Sequence, residues 1–141
     1  MRLEKRTADD MQTVLVDTDI AIDYLRGTDY ARDLMFELWD ANTAYLSILS
    51  VYELYAGMRE EEVDDTEDFI DACIIEGVTI DITKKGGETY RLNRKRGTTL
   101  TSIDCLVYST AVIRGHKIVT RNKDRYPDKK ILLSLQTDPG E

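Results

Sequence analysis

Five oxygen-bearing side chains stand where an apolar segment of this chain stops or a helix begins: Asp17, Glu53, Asp104, Asn122 and Asp124. Asp17 is the most demanding of them, because it follows Val14-Leu15-Val16, a continuous apolar run of the kind that fills a strand covered on both faces. An acid at the end of such a strand is costly to bury unless a cation, a proton or hydrogen bonds compensate it. If several of these carboxylates share one rim, two of them about 5 Å apart repel by roughly 3 kcal/mol at an effective dielectric near 20. They must then share protons or bind a cation. Hard oxygen donors with no Cys or His ligand beside them favour Mg²⁺ or Mn²⁺ over Zn²⁺. Such an ion suits phosphoryl chemistry, where it polarises a phosphate oxygen and activates water. Glu53 and Asp104 also admit a purely structural reading: Ser50 with Glu53, and Thr101 with Asp104, have the spacing of capping boxes, and acids in a first helical turn gain about 0.3–1 kcal/mol from the helix dipole.

The elements that must position these residues follow from hydrophobic periodicity. Strands are expected at residues 14–16, 43–48, 78–82, 116–120 and 131–135. Helices are expected over 20–25, stopped by Gly27, and over 29–41, with Ala31, Leu34, Met35, Leu38 and Trp39 forming one buried stripe. A further helix runs from Ser50 to about residue 58. The segment 59–71 holds eight acids and one base, so it faces solvent; Phe69, Ile70, Cys73 and Ile74 give it an apolar side, with Gly77 as the cap. Residues 83–96 form a helix weakened by Gly86-Gly87, and Thr101 opens the best helix of the chain, closed by Arg114-Gly115. Strands alternating with helices predict an α/β fold, a three-layer α/β/α sandwich around a five-stranded parallel sheet. In a parallel sheet, the ends of strands and the starts of the helices that follow converge on one edge. The domain is expected over 13–135, with a polar, unpatterned arm at 1–12 and a tail at 136–141.

Composition narrows the chemistry. The longest apolar runs are too short to span a bilayer and the start, Met1-Arg2-Leu3-Glu4-Lys5-Arg6, is too polar for a signal peptide, which predicts a cytoplasmic protein. Cys73 and Cys105 lack metal-ligand spacing and read as reduced core residues. A single histidine, His116, excludes a two-histidine acid/base ribonuclease and leaves a Ser/His/Asp triad resting on that one residue. The net charge of −8 hides an asymmetry: residues 1–83 carry 21 acids and 6 bases, whereas residues 84–130 carry 4 acids and 13 bases. A basic surface beside an acidic pocket is the footprint of a phosphate-backbone ligand, and solvated helix faces are the plainer explanation of the same charges.

Four motifs in order carry a resemblance. Val16-Asp17-Thr18-Asp19, Ser50-Val51-Tyr52-Glu53-Leu54, Ser102-Ile103-Asp104-Cys105-Leu106-Val107 with Ala111, and Val119-Thr120-Arg121-Asn122-Lys123-Asp124 resemble PIN-domain ribonucleases, most closely the VapC-type toxins of toxin-antitoxin pairs. The resemblance covers about residues 13–135. It implies Mg²⁺- or Mn²⁺-dependent cleavage of RNA to 5′-phosphate and 3′-hydroxyl ends, one or two ions per site, a homodimer, and an antitoxin that wraps the toxin and blocks the acidic pocket. Residue by residue, Asp17, Glu53 and Asp104 match the metal-binding acids. Asn122 falls where many relatives have a fourth acid, with Asp124 two positions on as its alternative. Asp19 stands where relatives have Ser or Asn, and either adds to the site or bonds to the loop; Thr120 matches a hydroxyl that orients the acids. Arg94, Lys95, Arg96, Arg121, Lys123 and Arg125 would then cradle the RNA backbone.

Two other classes fit parts of the pattern. A receiver-type signalling domain would use Asp81 as phosphoacceptor with Lys84 or Lys85 nearby, although the end of the last strand offers no lysine. A non-catalytic binding module would keep the fold and lose cleavage because Asn122 has replaced an acid.

Overall fold

The computed structural model describes residues 2–3, 11–98 and 100–136. Residues 4–10 of the expected arm and 137–141 of the expected tail lie outside the described residues. The chain runs β1 (Arg2–Leu3), β2 (Val14–Val16), α1 (Thr18–Leu25), α2 (Asp29–Asp40), β3 (Ala44–Ser47), α3 (Ile48–Gly57), α4 (Val63–Ala72), β4 (Ile74–Glu76), α5 (Ile80–Lys95), α6 (Ser102–Arg114), β5 (Lys117–Val119) and β6 (Leu135–Gln136). Short 3₁₀ turns cover Glu60–Glu62, Lys123–Arg125 and Lys129–Ile131.

Strands β4, β3, β2 and β5 form a parallel sheet in that order, which makes β2 an interior strand. Alternation along β2 then builds two cores. Val14 and Val16 join Ile20, Leu34, Met35, Leu38 and Phe69 under α1, α2 and α4. Leu15 points the other way, onto Val107 and Ala111 of α6, with Ile118 and Tyr126. The result is the expected sandwich, helices on both faces of a parallel sheet. Cys73 and Cys105 are buried free thiols, and burial pushes Cys73 up to about 11, as inert core residues require. Among the described residues, no helix is long and apolar enough to cross a membrane.

The sheet has four strands rather than five. The segment expected as the fifth begins in a 3₁₀ turn whose Asp128 side chain accepts from the Lys130 amide, and it then makes one isolated parallel bridge, Leu132 to Ile118. Its last part pairs elsewhere: β6 lies antiparallel to β1, so Arg2 and Leu3 of the expected arm belong to a small second sheet.

Two boundaries moved for identifiable reasons. The strand expected at 78–82 lies at Ile74–Glu76, because α4 stops at Ala72 and Cys73 turns extended; Gly77 follows β4 instead of capping a helix. Ile70 and Ile74 share helical spacing, which disguises the break. Helix α3 starts at Ile48, and its N-cap is Ser47, whose hydroxyl accepts from the Leu49 amide at 3.0 Å. The expected capping box is therefore absent: Ser50 and Glu53 sit inside the helix, with side chains available for other partners.

Helix α5 starts at Ile80 and packs along α6. Arg114 at the end of α6 reaches Thr79 at 3.1 Å and Asp81 at 3.9 Å, while Gly86 faces Leu106, so the two helices run antiparallel. A Cβ on Gly86 would stand 2.8 Å from a Leu106 methyl, which explains a glycine in a helix interior where it costs about 1 kcal/mol against alanine. This direction brings Arg94, Lys95 and Arg96 to the end of α6 that carries Asp104. Gly115 closes α6 at φ 76°, a left-handed cap as expected.

Moving the helix start gives a test. Ser47→Ala should lower the unfolding free energy by about 1 kcal/mol, the usual loss for an N-cap hydroxyl. Urea denaturation reads it; an unchanged midpoint with Ser47→Ala would return the cap to Ser50.

Candidate active site

The end of β2 organises the site. The Asp17 amide still donates to the Val119 carbonyl at 3.0 Å, so the ladder to β5 holds the residue in register beside Thr120. Its side chain then caps α1, accepting from the Thr18 amide at 2.9 Å, which satisfies one of the unpaired donors of a helix start. The other carboxylate oxygen accepts from the Tyr126 hydroxyl at 3.1 Å and Arg125 Nη1 at 3.2 Å. Asp17 is only 3% exposed. Burial raises its pKa above the ordinary 3.8, and the Asp19 charge adds to the rise; Arg125, Thr120 and the Thr18 amide pull the other way without cancelling it.

Arg125 joins a second acid to the first. Its Nε lies 3.7 Å from Asp104 Oδ1, so one guanidinium touches Asp17 and Asp104 together. Burial works against its charge, but Asp17 and Asp104 outweigh it and raise the arginine above its ordinary value. Asp104 reaches this place because Thr101 caps α6, accepting from the Asp104 amide at 3.0 Å, and the first turn projects the acid towards the end of β2. Tyr126 is wholly buried, and its hydroxyl is pushed far above the ordinary range by burial and the two acids, so it serves Asp17 as a donor only.

Glu53 arrives through Thr18. The Thr18 hydroxyl lies 2.6 Å from Glu53 Oε1 and 2.9 Å from Ser50 Oγ. It has one proton; the ionised carboxylate can only accept, so that proton goes to Glu53 and Ser50 is the donor on the other side. One residue at α1's start thus addresses two acids: the Thr18 amide holds Asp17 and the Thr18 hydroxyl holds Glu53.

Asp19 bonds to the loop. It accepts from the Thr120 hydroxyl at 3.2 Å, the Arg121 amide at 3.0 Å and the Asn122 amide at 3.3 Å, fixing the turn that leaves β5. Thr120 in turn accepts from the Asn122 amide. Beside it Arg121 pairs with Asp23 at 2.8 Å, and Asp23 also takes the Tyr30 hydroxyl. Arg121 and Arg125 are therefore both engaged with acids, and neither is open to a backbone ligand in the way the sequence predicts.

The structure does not bring Asp124 to this group. Its side chain is fully exposed and lies 3.9 Å from Lys129, because the 3₁₀ turn at Lys123–Arg125 directs Arg125 inward and Asp124 outward. Asn122 enters through its backbone amide. His116 lies at the opposite end of the sheet, level with Thr13 before β5, and its Nδ1 is 2.6 Å from the Thr13 hydroxyl. No triad can form there with Asp17. Asp81 belongs to the first turn of α5, bonded to Thr79 and near Arg114, instead of ending a strand as a phosphoacceptor would.

Among the described residues, no three acids, histidines or cysteines converge closely enough to hold an ion as they stand. Asp17 and Asp104 do share a cation, the Arg125 guanidinium. Mg²⁺ is commonly held by one or two carboxylates and completes its shell with water, so an all-oxygen pair with a third acid linked to it through Thr18 fits such an ion.

A model of the PIN domain family matches residues 14–130. The chain belongs to the PIN domain family. Ribonuclease VapC19 of Mycobacterium tuberculosis is 35% identical over 114 residues, 80% of this chain and 91% of that protein. Ribonuclease VapC10 of the same species is 27% identical over 114 residues, 81% of this chain and 86% of its own length. Among solved structures, the DNA-bound VapBC of Salmonella typhimurium superposes with a TM-score of 0.73 at 18% identity, covering 86% of this chain and 96% of that one. A toxin-antitoxin complex from Klebsiella pneumoniae gives 0.72 at 20% identity, covering 86% and 97%. The PIN fold is thus the frame that brings Asp17, Glu53 and Asp104 to one end of the sheet. Sequence reasoning did not single out Tyr126, Asp23 or Tyr30 for the site: Tyr126 follows no periodic apolar pattern, and Asp23 lies inside a helix rather than at its start.

The Asp17 shift fixes a sign. Its pKa is raised in the fold, so ionising it removes stability as pH rises from about 3.8, the ordinary value, through the raised one. Asp17→Asn should therefore melt higher than the parent protein at pH 7 in metal-free buffer, and the gap should close as the solution is acidified through the carboxylate range. A variant that melts lower at every pH would show that the charge stabilises the fold. Asp19→Ala should speed amide exchange at Arg121 and Asn122 by about tenfold or more, since hydrogen bonds to a charged acceptor contribute about 1.5–3 kcal/mol each; unchanged exchange there would detach Asp19 from the loop.

Proposed function

We propose that this PIN domain is a metal-dependent endoribonuclease and the toxin of a toxin-antitoxin pair. The observation that carries the reading is the buried Asp17 sharing one cation with Asp104, an arrangement that suits an ion better than a static core. The similarity to VapC ribonucleases supports RNA as the substrate, and the likeness to toxin-antitoxin complexes supports an antitoxin partner. A homodimer is part of the same proposal.

Asp17 and Asp104 would hold Mg²⁺ or Mn²⁺, with Glu53 as the third acid. When bound, the ion supplies electrophilic activation of the phosphodiester and offsets the charge that develops on it. The chain's own residues do the rest. Tyr126 and the Thr18 amide fix the Asp17 carboxylate, so its geometry does not depend on the ion. Thr18 and Ser50 orient Glu53, leaving its other oxygen to accept from a water or a ligand. Asp19 and Thr120 hold the 120–122 turn against the site. Arg94, Lys95 and Arg96, at the Asp104 end of α6, with exposed Lys123, form the cationic approach for a phosphate backbone. Such contacts carry affinity without sequence information, so they specify RNA as a polyanion rather than a particular site.

Asp17→Asn and Asp104→Asn should each reduce Mn²⁺-dependent cleavage of a structured RNA by about a hundredfold or more, as loss of a group that fixes transition-state electrostatics does. Glu53→Gln should weaken it less, because its amide can still bond to Thr18. Product analysis should find 5′-phosphate and 3′-hydroxyl ends. Full activity in Asp17→Asn would end the nuclease reading.

A further inference from the structure

We propose that Arg125 is a built-in competitor for the divalent ion: its guanidinium holds Asp17 and Asp104 when no ion is bound, and its side chain must leave before an ion can take both carboxylates. The inference rests on the reading of Asp17 and Asp104 as ion ligands and adds a residue that controls their occupancy.

Geometry supports it first. Nη1 lies 3.2 Å from Asp17 and Nε 3.7 Å from Asp104, so the planar fork spans the gap that a bridging ion would fill. Two positive charges cannot share that gap at these distances. Burial supports it next: Asp17 is almost wholly enclosed, yet Arg125 keeps 30% of its side chain exposed, so it has a way out to solvent that the acid lacks.

The backbone around Arg125 explains why the side chain alone moves. On its carboxyl side, Tyr126 is wholly buried, and its hydroxyl is bonded to Asp17. On its amino side, the Arg121 and Asn122 amides are held by Asp19. The 3₁₀ turn between these anchors keeps the Cα of Arg125 in place, and a rotamer change swings the guanidinium off the acids. The apparent affinity for an ion is then reduced by the fraction of molecules in which the arginine has vacated the gap. In the ion-free protein the same contact gives buried Asp17 a counter-charge.

Mn²⁺ binding to the intact chain tests this, read from the loss of the free-ion electron paramagnetic resonance signal. Arg125→Gln should bind Mn²⁺ about tenfold more tightly than the parent, on the scale expected when a mostly closed state is relieved. Arg125→Lys keeps the charge but cannot touch both acids at once; it should fold as the parent does and bind with an intermediate gain of about threefold. Lys123→Gln removes a nearby positive charge that does not touch Asp17 or Asp104 and should change the affinity by less than about twofold, which separates occupation of the gap from general electrostatics. Melting without RNA gives a second readout: Arg125→Gln should melt lower than the parent without ion, and saturating Mn²⁺ should raise it by more degrees than it raises the parent. Equal affinity in the parent and both Arg125 variants would overturn the competitor while leaving the nuclease reading standing. Failure of every protein, the Arg125 variants included, to bind Mn²⁺ or Mg²⁺ would remove both.

Discussion

A carboxylate that has lost almost all its water at the end of the central strand is the constraint to which the rest of the site answers. Nothing in a Val-Leu-Val strand requires an acid as its next residue, and burying one raises its pKa. The fold compensates from three directions. A helix N-terminus donates an amide through Thr18, a buried phenol donates from Tyr126, and a guanidinium supplies positive charge from Arg125. These donors lie up to 109 positions from Asp17, so the sheet and its two flanking layers must already be assembled before Asp17 is accommodated. The compensation is incomplete, as the raised pKa shows. An acid left in that condition is poorly designed for stability and well suited to a cation.

The loop after β5 is held by the same logic applied to a second acid. Asp19 sits one turn-start away from Asp17 and spends its carboxylate on the Thr120 hydroxyl and two backbone amides. That choice matters because the turn it fixes delivers Arg125 and Tyr126. The Arg121–Asp23 pair, joined by Tyr30, ties the same loop to α1 and α2. Two neighbouring acids on one helix start therefore divide the labour: Asp17 faces Arg125 and Tyr126 at the end of the sheet, and Asp19 holds the turn beside them.

What could be read from the sequence divides along the range of the interactions. Asp17 and Asp104 were legible because local signals mark them: an apolar strand that stops, and a first helical turn behind Thr101. Strands β2, β3 and β5 and helices α2 and α6 followed from periodicity alone. The third strand was misplaced because Phe69, Ile70, Cys73 and Ile74 continue a helical spacing across the point where the backbone turns extended. Ser50 fits a cap because Glu53 follows at capping-box spacing, and only the helix's actual start gives that role to Ser47, three residues earlier. The last strand was overestimated because Ile131 to Leu133 are apolar, while the Asp128-capped turn ahead of them leaves room for one bridge. The inward turn of Arg125 had no local signal at all: in sequence it is one of five bases between residues 121 and 130, and its partners lie 108 and 21 positions away.

Strand order also turns the charge asymmetry of the sequence into a direction of approach. The acid-rich segment around α4 leads into β4 at one edge of the sheet, whereas the basic segment 117–130 begins with β5 at the other. Asp17 ends β2, which lies next to β5 and two places from β4. The charge is therefore more positive on the β5 side of Asp17 than on the β4 side, and a screening length of about 8 Å at physiological salt confines the contrast to the immediate rim. The net charge of −8 sets the sign of the field at long range, and the local distribution of charge sets it within that distance. An acidic protein can in this way carry a locally basic edge, since the order β4-β3-β2-β5 puts the acid-rich and base-rich segments on opposite sides of the sheet.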